Sequence, residues 1–170
     1  TEMTRARMAQ EDRCMREADA VVTICETMKE GLVARGIPAE KIFVVPNSVD
    51  LSVFQPKPKD AALRERLGLR AATTAGYLSN MSAREGHSVL LRAVARARSN
   101  GADVDCLLVG AGPELARLED LAQALGIEDH VVFTGEVPHE SVPDYYALMD
   151  LFVVPRVADF ASDFVTPMKP

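Results

Sequence analysis

Two stretches of this chain place charge where it could act on a ligand. Arg84-Glu85-Gly86 follows a polar loop that begins at Ser79 and Asn80, and it opens a helical pattern. A guanidinium and free backbone N–H groups would stand there at a helix start, where a phosphate can be received. With equal weight, Arg84 reads as a solvated side chain and Glu85 as a complement to the helix dipole. The second stretch, residues 156–169, carries Arg156, Asp163, Thr166 and Lys169 in a long loop behind the last apolar run. Long loops at that position usually serve function. Gly110-Ala111-Gly112-Pro113 also lies between an apolar run and a helix, but Leu115 takes the place of a third glycine. No strand-end acid follows at about 20 residues, so a tight turn accounts for these glycines better than NAD binding does.

The remaining reactive residue types are scattered. His87, His130 and His139 are not paired at metal-ligand spacing, and each reads as a surface or capping side chain; only His139 falls on the expected ligand rim. Cys14, Cys25 and Cys106 form no CxxC pair and have no neighbouring histidine, which points to a reducing, cytoplasmic compartment. Neither a GxSxG elbow nor a P-loop is present, so hydrolase and NTPase readings lack their motif. No metal and no cofactor is expected.

The elements that must position these residues alternate regularly. A surface helix over residues 1–17, a strand over 20–24, a helix over 26–35 and a strand over 42–45 make one crossover unit. Prolines 46, 56 and 58 mark a hinge, with a domain boundary expected near residue 55. Beyond it come helices over 61–67, 85–99, 113–125 and 141–149, and strands over 73–78, 104–109, 131–134 and 151–154. On the second of those helices Val89, Leu90, Ala93, Val94 and Ala97 are expected to face the core. Short apolar strands alternating with helices predict a Rossmann-like, doubly wound parallel α/β sheet. Its ligands would bind beyond the carboxyl ends of the strands, at the loops 79–84, 110–113, 135–139 and 155–170.

Composition narrows the possibilities further. The 170 residues, 48% of them apolar, suffice for a packed core and are too apolar for a disordered chain. No apolar run approaches the roughly 18 residues of a membrane span. The net charge of -6, with no basic cluster, argues against nucleic acid. Between Asp103 and Asp150 the acids face Arg117 alone, so an anion would have to be held from elsewhere. The chain starts at Thr1 and stops at Lys169-Pro170 in an apparent loop, which suggests a piece of a longer protein that is inactive by itself.

Several ordered motifs resemble one enzyme family. Ala18-Asp19-Ala20-Val21-Val22-Thr23, the run from Gly36 to Pro46-Asn47-Ser48-Val49-Asp50, and Phe54 resemble the segment that joins the two lobes of family 4 glycosyltransferases. Leu107-Leu108-Val109-Gly110-Ala111-Gly112-Pro113, Val131-Val132-Phe133-Thr134-Gly135-Glu136-Val137 and Tyr146 to Pro155 are similar to the family's donor-binding lobe in order and spacing. The resemblance implies a GT-B fold. Residues 1–54 would be the end of the acceptor lobe with its linker, and residues 55–170 an incomplete donor lobe. It implies transfer of a sugar from a nucleotide-diphosphate donor to a glycan, lipid or small-molecule acceptor, with retention of configuration and without a metal. It also allows peripheral attachment at the inner face of the membrane through the rest of the N-terminal lobe.

The family's loop after the first donor-lobe strand carries an Arg and a Lys for the phosphates. Here Asn80 and Glu85 stand at those places. The chain resembles a subgroup with "YEG" in this loop and "TELVTPLKPLEAMA" later, matched by Asp163-Phe164-Val165-Thr166-Pro167-Met168-Lys169-Pro170. In that match Asp163 takes the place of an acidic catalytic residue. Lys169, with Arg156 or Arg84, would supply the missing cation. Backbone near Thr166 and Pro167 would touch the diphosphate, and Gly135-Glu136-Val137 would read the base. Because both usual cations are replaced, a catalytically silent nucleotide-sugar-binding module is the alternative, and a GT-B phosphorylase or epimerase a more distant one.

Overall fold

The chain divides between Val49 and Asp50 into two units. The computed structural model describes residues 2–157, so Asp163, Thr166, Pro167 and Lys169 lie outside the described residues.

In the first unit, helix α1 (Glu2–Glu17) precedes β1 (Val21–Thr23), α2 (Glu26–Ala34) and β2 (Ile42–Val44). The strands pair in parallel, Val21 with Ile42 and Thr23 with Val44. Gly36, at a φ of 81°, ends α2 in the left-handed conformation that glycine adopts without penalty. Arg35 then reaches Glu11 at 2.7 Å and Asp12 at 2.8 Å, while Lys41 donates to the Arg16 carbonyl at 2.9 Å. These polar ties hold α1 against the turn after α2.

The second unit contains α3 (Ala61–Arg66), β3 (Thr73–Leu78), α4 (His87–Ser99), β4 (Val104–Val109), α5 (Leu115–Ala124), β5 (Val131–Phe133), α6 (Val142–Leu148) and β6 (Leu151–Phe152). Helix α3 starts where the Asp60 carboxylate accepts from the N–H groups of Ala62 and Leu63, at 2.9 and 3.0 Å. The strands form one parallel sheet in the order β5-β4-β3-β6, which is the expected doubly wound α/β architecture. Every residue of β4 is buried, as a central strand covered on both faces requires. Val104, Cys106 and Leu108 pack with Leu90, Leu91, Val94 and Leu118 of α4 and α5. Leu107 and Val109 point the other way, to Leu63, Leu69 and Leu148. The period-2 alternation of a strand thus divides β4 between two helix layers.

Two expectations need correction here. Helix α4 begins at His87, not at residue 85, because residues 83–85 form a 3-10 turn and Gly86 takes a φ of 73°. Its buried stripe is His87, Leu90, Leu91 and Val94, a spacing of i, i+3, i+4 and i+7, whereas Val89 is 52% exposed. Ala93, also expected to face the core, is exposed as well.

At the amino ends of the strands, Asp105 is buried and accepts from the N–H groups of Arg70 and Ala71 at 2.7 and 2.8 Å. His130 Nδ1 lies 3.1 Å from the same carboxylate, and Arg98 approaches His130 Nε2 at 2.7 Å. His130 is therefore part of a polar network instead of a simple surface cap. Burial opposes the Asp105 charge, but these donors outweigh it and hold the carboxyl below its ordinary value.

Burial pushes the Cys106 thiol up to about 12, whereas Cys14 is exposed. Titration of the native protein with a thiol reagent is expected to modify Cys14 promptly and Cys106 only on unfolding. Rapid labelling of Cys106 under native conditions would contradict its burial.

Candidate functional site

The winding of the second unit marks one edge of its sheet. From β3 the chain moves through α4 to β4 and through α5 to β5, then returns by α6 to place β6 on the opposite side of β3. The chain therefore winds away from β3 on both sides of that strand. In open parallel sheets that point of reversal, beyond the carboxyl ends of the strands, is where ligands bind.

Beside that point a floor is built by main-chain hydrogen bonds continuing past the strands. Ser79 N–H donates to Val109 at 3.0 Å, Met81 N–H to Ala111 at 2.9 Å, Glu114 N–H to Met81 at 3.0 Å and Gly110 N–H to Gly135 at 2.9 Å. Gly110 and Gly112 are explained by this stitching. A Cβ on Gly112 would lie 2.6 Å from Asn80 Oδ1 and 2.7 Å from the Met81 carbonyl carbon, and one on Gly110 would strike the Ser79 carbonyl. The glycines permit close approach of two backbones, consistent with the tight-turn reading.

At the point of reversal two expected residues meet. Arg156 Nη2 donates to Glu85 Oε1 at 3.1 Å and its Nε to Oε2 at 3.3 Å, and the Tyr77 hydroxyl donates to the same carboxylate. The Glu85 side chain is only 12% exposed and that of Arg156 21%. Gly86 allows this junction. A Cβ there would lie 2.7 Å from the Pro155 carbonyl carbon and closer still to its oxygen. Val157 N–H donates to the Arg84 carbonyl at 3.1 Å, so the segment after β6 is laid along the turn after β3.

The charges respond to this arrangement. Burial, together with the Glu85 carboxylate, pushes the Tyr77 hydroxyl up to about 12, so it stays a neutral donor. Burial works against the Arg156 charge, but Glu85 outweighs it and raises the guanidinium further. Ser79 shares a 3.0 Å hydrogen bond with His87 Nε2. His87 is 2% exposed, which corrects its reading as a surface or capping side chain.

Asn80 and Arg84 are exposed on the same loop. Gly135, Glu136 and Val137 follow β5, two strands from β3 and so about 10 Å away at ordinary strand spacing. Glu136 is exposed, whereas Val137 packs against the Leu63 and Leu148 layer. His139 lies on this side of the rim with its ring 5.8 Å from that of Phe54. Sequence reading gives His87 a surface or capping role and Tyr77 no role at all. The spacing of His87 with Leu90, Leu91 and Val94 was the signal for the former; Tyr77 inside an apolar strand offered none. Among the described residues no group of three or more His, Cys, Asp or Glu stands close enough to hold a metal ion. Among them, too, no helix is long and apolar enough to cross a membrane.

The fold is a parallel α/β lobe whose loops gather at the carboxyl edge of its sheet. Residues 62–162 match the family described as glycosyl transferases group 1, and residues 1–53 match glycosyltransferase family 4. The chain belongs to the group 1 glycosyltransferases. It is 33% identical, over 82% of its length and 37% of the relative's, to a GDP-mannose-dependent alpha-(1-6)-phosphatidylinositol monomannoside mannosyltransferase of Mycolicibacterium smegmatis. Similarity to the 2-deoxystreptamine glucosyltransferase of Streptomyces kanamyceticus is 29% identity over 84% of this chain and 38% of that one. Among solved structures, Anabaena Alr3699/HepE in complex with UDP superposes with a TM-score of 0.72 at 26% identity, covering 83% of this chain and 39% of the other. The chain thus spans well under half the length of these relatives.

Proposed function

We propose that residues 50–157 form most of the donor-binding lobe of a retaining glycosyltransferase, which moves a sugar from a nucleotide-diphosphate donor to a glycan, lipid or small-molecule acceptor. The observation that carries this is the reversal of winding at β3 in a parallel sheet, with the interlocked loops of β3, β4 and β5 at its carboxyl edge, all inside the matched family region. Binding of UDP and UDP-glucose by the Anabaena relative supports a nucleotide-sugar donor, as does the GDP-mannose dependence of the mycobacterial one. In this arrangement Gly135, Glu136 and Val137 face the base, and the loop from Ser79 to Glu85 faces the phosphates. Asp163, Thr166, Pro167 and Lys169 would complete the reacting end, a role that rests on their sequence resemblance alone.

Departure of a nucleoside diphosphate builds negative charge, so catalysis calls for cations and oriented N–H groups fixed before the reaction begins. Transfer proceeds without a resident metal in this proposal. Calorimetry of the full-length protein with UDP-, GDP- and ADP-sugars, followed by a transfer assay with and without a chelator, tests it. Micromolar to millimolar donor binding and chelator-insensitive transfer with retained anomeric configuration are expected. Binding without turnover on any acceptor class would instead favour a silent nucleotide-sugar-binding module.

A further inference from the structure

The Glu85–Arg156 pair spans the point at which the sheet reverses its winding. Glu85 comes from the turn after β3 and Arg156 from the segment after β6, so the pair bridges the two segments at the carboxyl edge of the sheet. Glu85 would seem misplaced facing an anion. Its carboxylate, however, accepts from both Arg156 and the Tyr77 hydroxyl and is largely withdrawn from solvent. The two-point contact from Nε and Nη2 fixes the plane of the guanidinium, the geometry in which arginine reads planar or tetrahedral oxyanions. The amino end of α4 opens at the neighbouring Gly86 and adds partial positive charge to the same place.

We propose that Glu85 is a positioning residue that clamps the Arg156 guanidinium at the carboxyl edge of the sheet, where the guanidinium takes the diphosphate of the donor. This rests on the donor-lobe function above and specifies its phosphate contact. The positive charge that binds the leaving group then comes from the strand-end segment after β6, carried across to the β3 turn by a carboxylate.

The test compares Arg156→Ala, Arg156→Lys, Glu85→Gln and the exchanged double variant Glu85→Arg/Arg156→Glu in the full-length protein. Titrations use UDP, GDP and ADP alongside the matching unphosphorylated nucleosides, with thermal unfolding of each variant. Arg156→Ala is expected to weaken the preferred diphosphate about ten- to a hundredfold, the scale of a lost charge-assisted contact, with nucleoside affinity kept. Arg156→Lys should recover part of the loss, and Glu85→Gln should weaken diphosphate binding with a smaller change. The exchanged pair should regain thermal stability but not affinity, because it returns the ion pair while presenting a carboxylate to the phosphates.

Unchanged diphosphate affinity in Arg156→Ala would overturn the proposal. So would equal losses of nucleoside and diphosphate, or full recovery of affinity in the exchanged pair, since each makes the contact merely structural. If the unmutated protein binds none of the three diphosphates, the donor-lobe function itself fails, and this proposal with it.

Discussion

Gly86→Ala in the full-length chain is expected to lose about 2–5 kcal/mol of stability, combining a left-handed backbone cost of about 1–2 kcal/mol with the strain of overpacking. Gly86 sits at a φ of 73°, and an added methyl would meet the backbone carbonyl of Pro155, which cannot swing aside as a side chain would. Either the turn after β3 or the segment after β6 must shift, and the Glu85–Arg156 contact with it. Gly68→Ala is the matching control. Gly68 has nearly the same φ, 72°, but nothing lies within 4 Å of the position a Cβ would take. It should therefore show the backbone cost alone. Urea midpoints of the two variants decide the matter: equal losses would mean that the approach of Pro155 contributes nothing.

Asp105→Ala should be at least as damaging, about 3–5 kcal/mol, because it removes a buried carboxylate and strands donors, the buried Ala71 N–H among them, instead of opening a void alone. The N–H groups of Arg70 and Ala71 and the His130 ring would lose their acceptor, at the segment that leads into β3. The carboxyl is held below its ordinary value in the folded protein. A depressed folded value means that the unfolded chain takes up its proton first as the pH falls. The stabilisation is thus complete above the unfolded carboxyl value of about 3.9 and is lost as pH drops through the folded one. Asp105→Asn should flatten that part of the acid unfolding curve. An acid limb of unchanged steepness in Asp105→Asn would show that this carboxylate is not its source.

Sequence pattern was sufficient where causes are local. The strands β3 and β4 have the bounds expected from their apolar runs, since each run is closed by polar or glycine residues. Helix α4 was displaced by two residues because a 3-10 turn and a left-handed glycine occupy what periodicity alone reads as its first turn. The tight turn at Gly110 and Gly112 was legible, but its reason, the backbone of Met81 lying against it, comes from another loop. Arg84, Glu85 and Arg156 could be picked out as charges on a rim. That Glu85 and Arg156 form a pair could not, because they are 71 residues apart and no period connects them. His87 and His130 escape sequence reading for a similar reason: the partners they bond, Ser79 and Asp105, belong to other elements.

The interlocked loops have an entropic consequence. Hydrogen bonds from Ser79, Met81, Gly110 and Glu114 immobilise this floor at the sheet's carboxyl edge when the lobe folds, before any ligand arrives. Freezing a residue's backbone costs on the order of 1–2 kcal/mol, and a floating loop would subtract that from the affinity for each residue it had to order. On this floor the cost is met during folding, so more of each contact's free energy remains as binding.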